Sequence, residues 1–310
     1  MADKKATRQG YGAGLVELAR EHDDVVAFDA DLTGSVGTKD FAKEFPERHF
    51  NVGIAEQNML GMAAGFARVG FVPFTAGFAT FCPGRAFEII RNAVCYSNIN
   101  VKFVGSHAGL TSAADGGTHQ AIEDVAIIRA LPNMTILTPC DYNQAIALTK
   151  KAYEIKGPVY LRTARVATPI LTEPDTPLEV GKVQQLRDGK DVCIVAIGIM
   201  NAIALEAADK LAEEGISVKV LNLHTIKPLD IEGIKTGVAS CGGKLLVVED
   251  CNKFGGVGEA IAYGMAGEQY VMEHIAIEDR FGQSGADADV NAAYGLTTEN
   301  VIEKVRRLMR

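Results

Sequence analysis

The chain has 310 residues, 47% of them hydrophobic, and a formal net charge of −8 at pH 7. This length exceeds what one hydrophobic core usually fills, so two domains are expected. The acidic balance argues against a general nucleic-acid surface, which needs a basic face, and any phosphate site must therefore be local.

The first half of the chain alternates short apolar runs with amphipathic stretches, the pattern of βα units around a parallel sheet. Strands are predicted at residues 25–28, 49–52, 72–75, 101–105, 134–138 and 159–162. Helices are predicted at residues 12–21, 56–69, 85–97, 121–130 and 142–155. This order predicts an α/β domain over residues 1–170.

A segment rich in Pro and Thr, residues 166–180, separates this pattern from a second one. Prolines at that density break helices and sheets, so we place a domain boundary there. Further strands are predicted at residues 192–197, 218–222, 245–249 and 274–277, and helices at 202–214, 231–238 and 257–265. Residues 185–310 are therefore expected to form a second mainly parallel sheet flanked by helices.

The cysteines and the apolar runs bear on the cellular location of the protein. Its six cysteines lie far apart without a Cys-x-x-Cys pair, which is typical of buried thiols in a reducing compartment. Residues 1–5 contain no apolar signal segment, and no run approaches the length that spans a membrane. We expect a cytoplasmic protein that contacts neither membranes nor nucleic acids.

Residues 50–59 place one carboxylate, that of Glu56, where a strand gives way to an apolar helix. Small and apolar neighbours such as Gly53 and Ile54 leave this carboxyl poorly solvated and favour a form that shares a proton. An acid in the first helical turn is also a favourable charge at the positive end of the helix dipole. The residues alone leave both interpretations open.

An aromatic pair, Phe78 and Phe81, follows the next strand. Two phenylalanines three positions apart can form one flat apolar wall, which suits a heteroaromatic ring. Ordinary core packing would place aromatic residues in the same way.

A glycine-rich loop, residues 106–120, follows another strand end and carries His107, Asp115 and His119. Ligands in open α/β sheets bind beyond the carboxyl ends of the strands. A lone loop histidine is usually solvated and has no function. Two histidines with an aspartate between them more often belong to a functional site. Their spacing argues against a zinc site.

Polar residues at two further strand ends complete the candidate site. Arg165 follows the strand at 159–162, where a guanidinium can hold a phosphate through two parallel hydrogen bonds. Asp31 and Ser35 follow the first strand, although Asp or Ser in that place could simply cap a helix. Exposed arginines are usually solvated unless they converge with other groups.

Together these motifs resemble the pyrimidine-binding domain of the thiamine-diphosphate enzymes, transketolase in particular, and the resemblance covers nearly the whole chain. It implies that Glu56 bonds the aminopyrimidine ring of the cofactor and shares a proton with it. Phe78 and Phe81 would pack against that ring. Gly84 stands where transketolases have a third aromatic residue, so Arg85 or Phe87 would have to fill the gap.

The resemblance also implies contacts to a sugar-phosphate substrate. Asp31 should lie near the thiazolium ring of the cofactor, and Asp115 should hold a substrate hydroxyl. His119, the second catalytic candidate, should hold the sugar hydroxyls near the reacting carbon. The substrate phosphate would be bound by Arg8, Ser35, His107 and Arg165.

One signature of these enzymes is missing from the sequence. They hold the diphosphate through Mg²⁺ or Ca²⁺ bound by a Gly-Asp-Gly signature, and this chain contains no Gly-Asp-Gly. In a transketolase that signature belongs to a domain ahead of the part matched here. The resemblance therefore implies the C-terminal subunit of a split transketolase, with the metal ligands on a separate N-terminal subunit and with self-association.

The second domain is expected to contribute little to catalysis. Its glycines at 255–258 do not complete a Gly-x-Gly-x-x-Gly frame, so they predict a helix start rather than a nucleotide loop.

The expected activity is transfer of a two-carbon ketol unit between sugar phosphates. A deoxyxylulose-phosphate synthase is an alternative, but it normally comes as one chain. The beta subunit of a 2-oxoacid dehydrogenase would not need His107, His119 and Arg165. A noncatalytic scaffold would not need Glu56, and a nicotinamide-dependent oxidoreductase would need a phosphate fingerprint after the first strand.

Overall fold

The computed structural model describes residues 3–310, so residues 1 and 2, with which the predicted first domain begins, lie outside the described residues. The strands, in chain order, are β1 (Lys4–Ala6), β2 (Val25–Asp29), β3 (His49–Asn51), β4 (Val72–Phe78), β5 (Lys102–Ser106), β6 (Thr135–Leu137), β7 (Val159–Arg162), β8 (Ala167–Pro169), β9 (Gln184–Arg187), β10 (Val192–Ala196), β11 (Val218–Asn222), β12 (Thr225–Lys227), β13 (Lys244–Asn252) and β14 (Val271–Ile277).

The helices, in chain order, are α1 (Thr7–Glu21), α2 (Lys39–Glu44), α3 (Glu56–Arg68), α4 (Cys82–Arg85), α5 (Phe87–Ile89), α6 (Asp124–Arg129), α7 (Tyr142–Glu154), α8 (Met200–Glu213), α9 (Ile231–Ala239), α10 (Val257–Gly264), α11 (Asp287–Ala293) and α12 (Thr298–Leu308). No helix within residues 3–310 is both long and apolar enough to cross a membrane.

Two sheets organise the described part of the chain. The larger has the strand order β12-β6-β7-β5-β4-β2-β3, and only the β12–β6 pair in it is antiparallel. The smaller has the order β14-β13-β10-β11-β9, with β9 antiparallel at its edge. Successive residues of β2 face different hydrophobic cores, so helices cover both faces of the larger sheet. This confirms the predicted α/β class with mainly parallel sheets.

The segment between the two patterns is more ordered than its composition predicts. Residues 167–169 form β8, which pairs antiparallel with β1 near the start of the chain. The expectation that the prolines exclude a strand there was therefore wrong, because Pro169 lies at the end of a short two-stranded ribbon where its missing N–H costs little. The strand β12, from the second half of the chain, extends the larger sheet.

Two predicted helices of the first half differ from the structure. The helix expected at 85–97 is divided into α4, α5 and a π-helical segment, Ile90–Tyr96. The helix expected from residue 121 begins at Asp124, because Ala121 instead pairs with Gly109 through two backbone hydrogen bonds. The remaining predicted strands and helices occur at their expected places to within a few residues.

A buried ion network joins the two sheets. Arg162, at the end of β7, donates from Nε to Asp124 (2.8 Å) and from Nη1 to Asp250 on β13 (2.6 Å). Tyr160 also donates to Asp124, at 2.7 Å. All four side chains are buried, so each charge depends on its partners for the stabilisation that water no longer provides.

We predict that Arg162→Met lowers the free energy of unfolding by about 3–5 kcal/mol, because it leaves two buried carboxylates without a counter-charge. Urea denaturation of the purified chain measures this loss. Arg20→Met is the matched control, since Arg20 pairs with Glu44 on the surface, and it should leave the denaturation midpoint almost unchanged. Equal midpoints for the two variants would show that the network does not stabilise the junction.

Candidate active site

The predicted site residues meet at one edge of the larger sheet. Five neighbouring parallel strands, in the order β7-β5-β4-β2-β3, end at this edge. The chain leaves β2 to one side for β3 and then crosses to the other side for β4, so the strand order reverses at β2. A crevice forms at such a reversal beyond the carboxyl ends of the strands. The predicted site residues at or just after these strand ends are Asp31, Ser35, Glu56, Phe78, Phe81, His107 and Arg165.

Glu56 is the first residue of α3, and its side chain is buried. Its Oε1 accepts a hydrogen bond of 2.9 Å from Nη1 of Arg85, whose side chain is half exposed. The carboxylate of Glu56 is therefore shielded from water and paired with a guanidinium whose own side chain is half exposed. The structure thus gives Glu56 the poorly solvated position that the sequence predicted, together with a partner that it did not assign.

The turn before Glu56 is fixed by Asn51, the last residue of β3. Its Oδ1 accepts from the backbone N–H of Gly53 (2.9 Å) and of Asp31 (3.2 Å). Gly53 and Asp31 both adopt positive φ, 71° and 62°. The amide of Asn51 therefore links the loop after β2 to the loop that ends in Glu56.

Asp29, the last residue of β2, holds the loop that follows this strand. Its carboxylate lies 2.8 Å from Nε2 of His49 and accepts from the hydroxyl of Thr38 at 2.9 Å. Burial raises the pKa of Asp29, but hydrogen bonds from His49, Thr33 and Thr38 outweigh burial and lower it. The loop that carries Asp31 and Ser35 is consequently held on a charged, buried carboxylate.

Phe78 and Phe81 lie next to each other and are here called the aromatic wall. The rings of Phe78 and Phe81 lie nearly parallel, at 12° with centroids 6.0 Å apart. The guanidinium of Arg85 lies 4.2 Å from the centroid of Phe81. At Gly84, where the third aromatic was expected, a Cβ would meet no atom within 4 Å. Arg85 thus covers Phe81, while the place beside Gly84 is open.

The ring of His107 covers the other member of the aromatic pair, Phe78. His107 follows β5 with φ of 62°, and its ring stacks on Phe78 with centroids 3.9 Å apart. Burial, together with the positive charges of Arg8 and Arg165 and the nearby His119, lowers the pKa of His107 to about 3. The imidazole is therefore neutral at physiological pH in this arrangement.

His119 approaches the wall edge-on. Its ring makes T-shaped contacts with Phe81 (centroids 5.2 Å apart) and Phe78 (6.2 Å), and its Nδ1 lies 2.9 Å from the hydroxyl of Thr118. The two loop histidines therefore contact the same aromatic pair from different directions.

The two arginines predicted to bind phosphate are held side by side. The start of α1 is tied to the chain just after β7: Ala164 N–H donates to Thr7 Oγ1 at 2.7 Å, and Arg8 N–H donates to the carbonyl of Ala164 at 3.3 Å. This pairing brings Arg8 next to Arg165. Arg8 also donates to the carbonyl of Ser35, and burial together with the charge of Arg165 lowers its pKa.

Asp115 occupies one side of Arg165. The carboxylate accepts from Nη1 at 2.9 Å, and the same Nη1 donates to the carbonyl of Ser112 at 3.3 Å. Both side chains are partly exposed. Asp115 therefore orients the guanidinium and offsets part of the repulsion between Arg8 and Arg165.

Sequence reasoning did not identify Asn51, the Asp29–His49 pair or the Glu56–Arg85 pair. Asn51 precedes Glu56 by five positions at a strand end, which is a signal that could have indicated it. The other two pairs join residues 20 and 29 positions apart and leave no local pattern.

The glycines at 255–258 behave as predicted. They span the start of α10, whose first N–H groups at Val257 and Gly258 both donate to Glu249 at 2.8 Å. A carboxylate of the chain itself therefore occupies the position in which a nucleotide loop would bind phosphate. All six cysteines are free and buried, also as expected.

Comparisons with known proteins agree along the chain. The family model described as transketolase, pyrimidine binding domain, matches residues 3–169, and the one described as transketolase, C-terminal domain, matches residues 181–301. A protein of Methanocaldococcus jannaschii named as a transketolase C-terminal section is 44% identical over 310 residues, 99% of this chain and 97% of that protein.

Two further similar proteins are named as a transketolase subunit and as a split-gene transketolase. The 6-deoxy-6-sulfo-D-fructose transketolase subunit of Clostridium sp. strain MSTE9 is 38% identical over 296 residues, 95% of this chain and 92% of that protein. A solved structure of a split-gene transketolase, described as an inactive beta4 tetramer, superposes with a TM-score of 0.89 at 44% identity and covers 99% of both chains.

The lowered pKa of His107 predicts a pH dependence of stability. The unfolded chain binds a proton at this residue with a pKa of about 6.5, whereas the folded chain binds it only near pH 3, so the contribution to stability is complete above pH 6.5 and is lost as the pH falls. Relative to the parent, His107→Gln should remove up to about 1.4 kcal/mol of the stability lost between pH 6.5 and 5.5.

Urea unfolding at pH 6.5 and 5.5 measures this difference. His224→Gln is a positive control away from the site, because burial also lowers the pKa of His224, to about 4. The same pH dependence in the parent and in His107→Gln would contradict the neutral, buried state of His107.

Proposed function

The chain belongs to the transketolase family, and on that premise we propose that it is the C-terminal subunit of a split, thiamine-diphosphate-dependent transketolase. The reaction is transfer of a two-carbon ketol unit from a ketose phosphate to an aldose phosphate. The proposed division is a pyrimidine-binding domain at residues 1–170 and a C-terminal domain at 185–310.

The observation that carries the proposal is the convergence of basic groups beside a buried carboxylate and an aromatic wall. Arg165 contributes to lowering the pKa of Arg8, and both arginines contribute to lowering the pKa of His107, so the three groups lie near one another. Like charges held together in this way favour an anion between them. The substrate named for the Clostridium relative, a sulfo-sugar, is also anionic.

The residues present fit the pyrimidine half of thiamine diphosphate. Glu56 offers a buried carboxylate that can share a proton with a ring nitrogen, and Phe78 and Phe81 offer a flat wall for a heteroaromatic ring. The bound cofactor would supply the carbanion that attacks the ketose. Arg85 must leave Glu56 or share it when the ring binds, and its exposure allows that movement.

The remaining site residues receive substrate roles in this proposal. His119 and Asp115 hold sugar hydroxyls, with His119 close to the reacting carbon. Asp31, whose backbone N–H donates to Asn51, would lie near the thiazolium ring of the bound cofactor. Ser35 joins the phosphate ligands at Arg8, which already donates to its carbonyl.

The partner in the proposal is an N-terminal subunit that carries the diphosphate-binding domain and the Mg²⁺ or Ca²⁺ ligands. Ile54 is 74% exposed only two residues before Glu56, and the space beside Gly84 is open. These two features leave room for another chain, but the support for a partner is the similarity to a split-gene transketolase whose beta4 tetramer is described as inactive. Self-association of this chain and a cytoplasmic location, in keeping with six free thiols, complete the proposal.

The proposal is tested first by a ketol-transfer assay on the chain together with the subunit that copurifies from its host. Glu56→Gln in that complex should reduce kcat by about a hundredfold or more, because Gln keeps the shape of Glu but cannot share the proton. Glu44→Gln, on the surface, is the matched control. If Glu56→Gln turned over at the parent rate, the role of Glu56 would be only that of a favourable charge at the start of α3.

A second variant tests the anion site. With glycolaldehyde as a phosphate-free acceptor, Arg165→Ala should raise KM for a ketose phosphate donor about tenfold or more, the size of one lost charge-assisted contact. Hydroxypyruvate has no phosphate, so its KM in the same variant should change little. Equal losses for both donors would make Arg165 structural and favour the 2-oxoacid dehydrogenase alternative.

A further inference from the structure

The loop of residues 107–120, here called the substrate loop, carries His107, Asp115 and His119. It leaves the larger sheet at the end of β5 and returns before α6. Its base is closed by the reciprocal backbone bonds between Gly109 and Ala121, at 2.9 and 3.0 Å. The position of its three functional side chains depends on what holds the part in between.

Residues 282–284 of the second half, here called the 282–284 segment, lie directly against the tip of the substrate loop. The hydroxyl of Ser284 donates to the carbonyl of Ala114. The buried side chain of Gln120 donates to the carbonyl of Gln283 at 3.0 Å and to that of Ala113 at 3.3 Å. The loop is therefore hydrogen-bonded to the second half of the chain on either side of Asp115.

This contact leaves no room for a side chain at Gly282. A Cβ there would lie 1.5 Å from Oε1 of Gln120, and a Cβ on Gly117 would lie 2.6 Å from the carbonyl oxygen of Gly282. The two backbones approach each other closely only because both positions are glycine.

The base of the substrate loop also rests on the second half. Leu110 belongs to the hydrophobic core of the smaller sheet, with Ile194 and Val248 among its members. A Cβ on Gly109 would lie 2.1 Å from the carboxylate of Asp250, whose other oxygen accepts from Arg162. The second half of the chain therefore contacts the substrate loop at both its tip and its base.

We propose that the second half of the chain positions the substrate loop, with Gly282, Ser284 and Gln120 as positioning residues for sugar-phosphate binding. The inference rests on the proposed function for its substrate class. It goes beyond that function by giving the second half a part in substrate recognition, which the resemblance to transketolases did not imply.

Gly282→Ala is the principal variant, since its methyl group must displace the amide of Gln120. In the purified chain alone, amide hydrogen exchange of residues 109–120 should become about tenfold faster, while exchange in α3 stays unchanged. In the active complex, KM for the aldose phosphate should rise about tenfold at a similar thiamine-diphosphate requirement, because Glu56, Phe78 and Phe81 lie outside the displaced contact.

Three further variants exclude simple loss of folding. Gly282→Ala combined with Gln120→Ala removes the clash, so its KM should be no higher than that of Gln120→Ala alone. Ser284→Ala removes one hydroxyl and should act in the same direction with a smaller effect. Ser240→Ala removes a comparable bond, from a serine to the carbonyl of Gly237, far from the loop, and should change neither readout.

The two readouts separate this inference from the proposed function. If the parent complex showed no ketol transfer, the proposed function would be overturned. Hydrogen exchange on the chain alone would still decide whether the 282–284 segment holds the substrate loop. Unchanged exchange in Gly282→Ala would overturn the inference. So would faster exchange with an unchanged KM, or effects of Gly282→Ala and Gln120→Ala that simply add.

Discussion

The parallel register of β2, β3, β4, β5 and β7 is the constraint on which the site depends. Parallel strands end at the same edge, so residues that follow them, from Asp31 to Arg165, meet although they are far apart in the sequence. Apart from the edge strand β3, these strands are short and buried on both faces, so the edge cannot shift without exposing two cores. A rigid sheet thus holds loops whose side chains carry the chemistry.

The charges at this edge are divided into two groups. On one side a buried carboxylate, Glu56, is paired with the exposed Arg85 next to an aromatic wall. On the other side Arg8, Arg165 and the neutral His107 lie together, with Asp115 as the compensating acid. Under the proposed function, the heteroaromatic ring of the cofactor would lie against the first group and the anionic substrate against the second.

Much of this could be predicted because the signals are local. Buried parallel strands appear as short apolar runs, and polar residues just after them indicate the binding edge, which is how Glu56, Phe78, His107 and Arg165 were identified. The helices α2, α11 and α12 were not predicted although they are local elements, and the rest of what escaped prediction depends on long-range pairing. The ribbon of β1 and β8, the strand β12, the Glu56–Arg85 pair and the contact of Gln120 with the 282–284 segment join distant residues, and no local pattern marks them.

The central claim is that this chain holds only the pyrimidine half of a cofactor site that a partner completes. Isothermal titration of thiamine diphosphate with Mg²⁺ into the chain, alone and with the copurified N-terminal subunit, tests it most directly. The account predicts binding to the chain alone that is about a hundredfold or more weaker than to the complex, because one chain lacks the groups that hold the diphosphate. Equal affinity with and without the partner would contradict it.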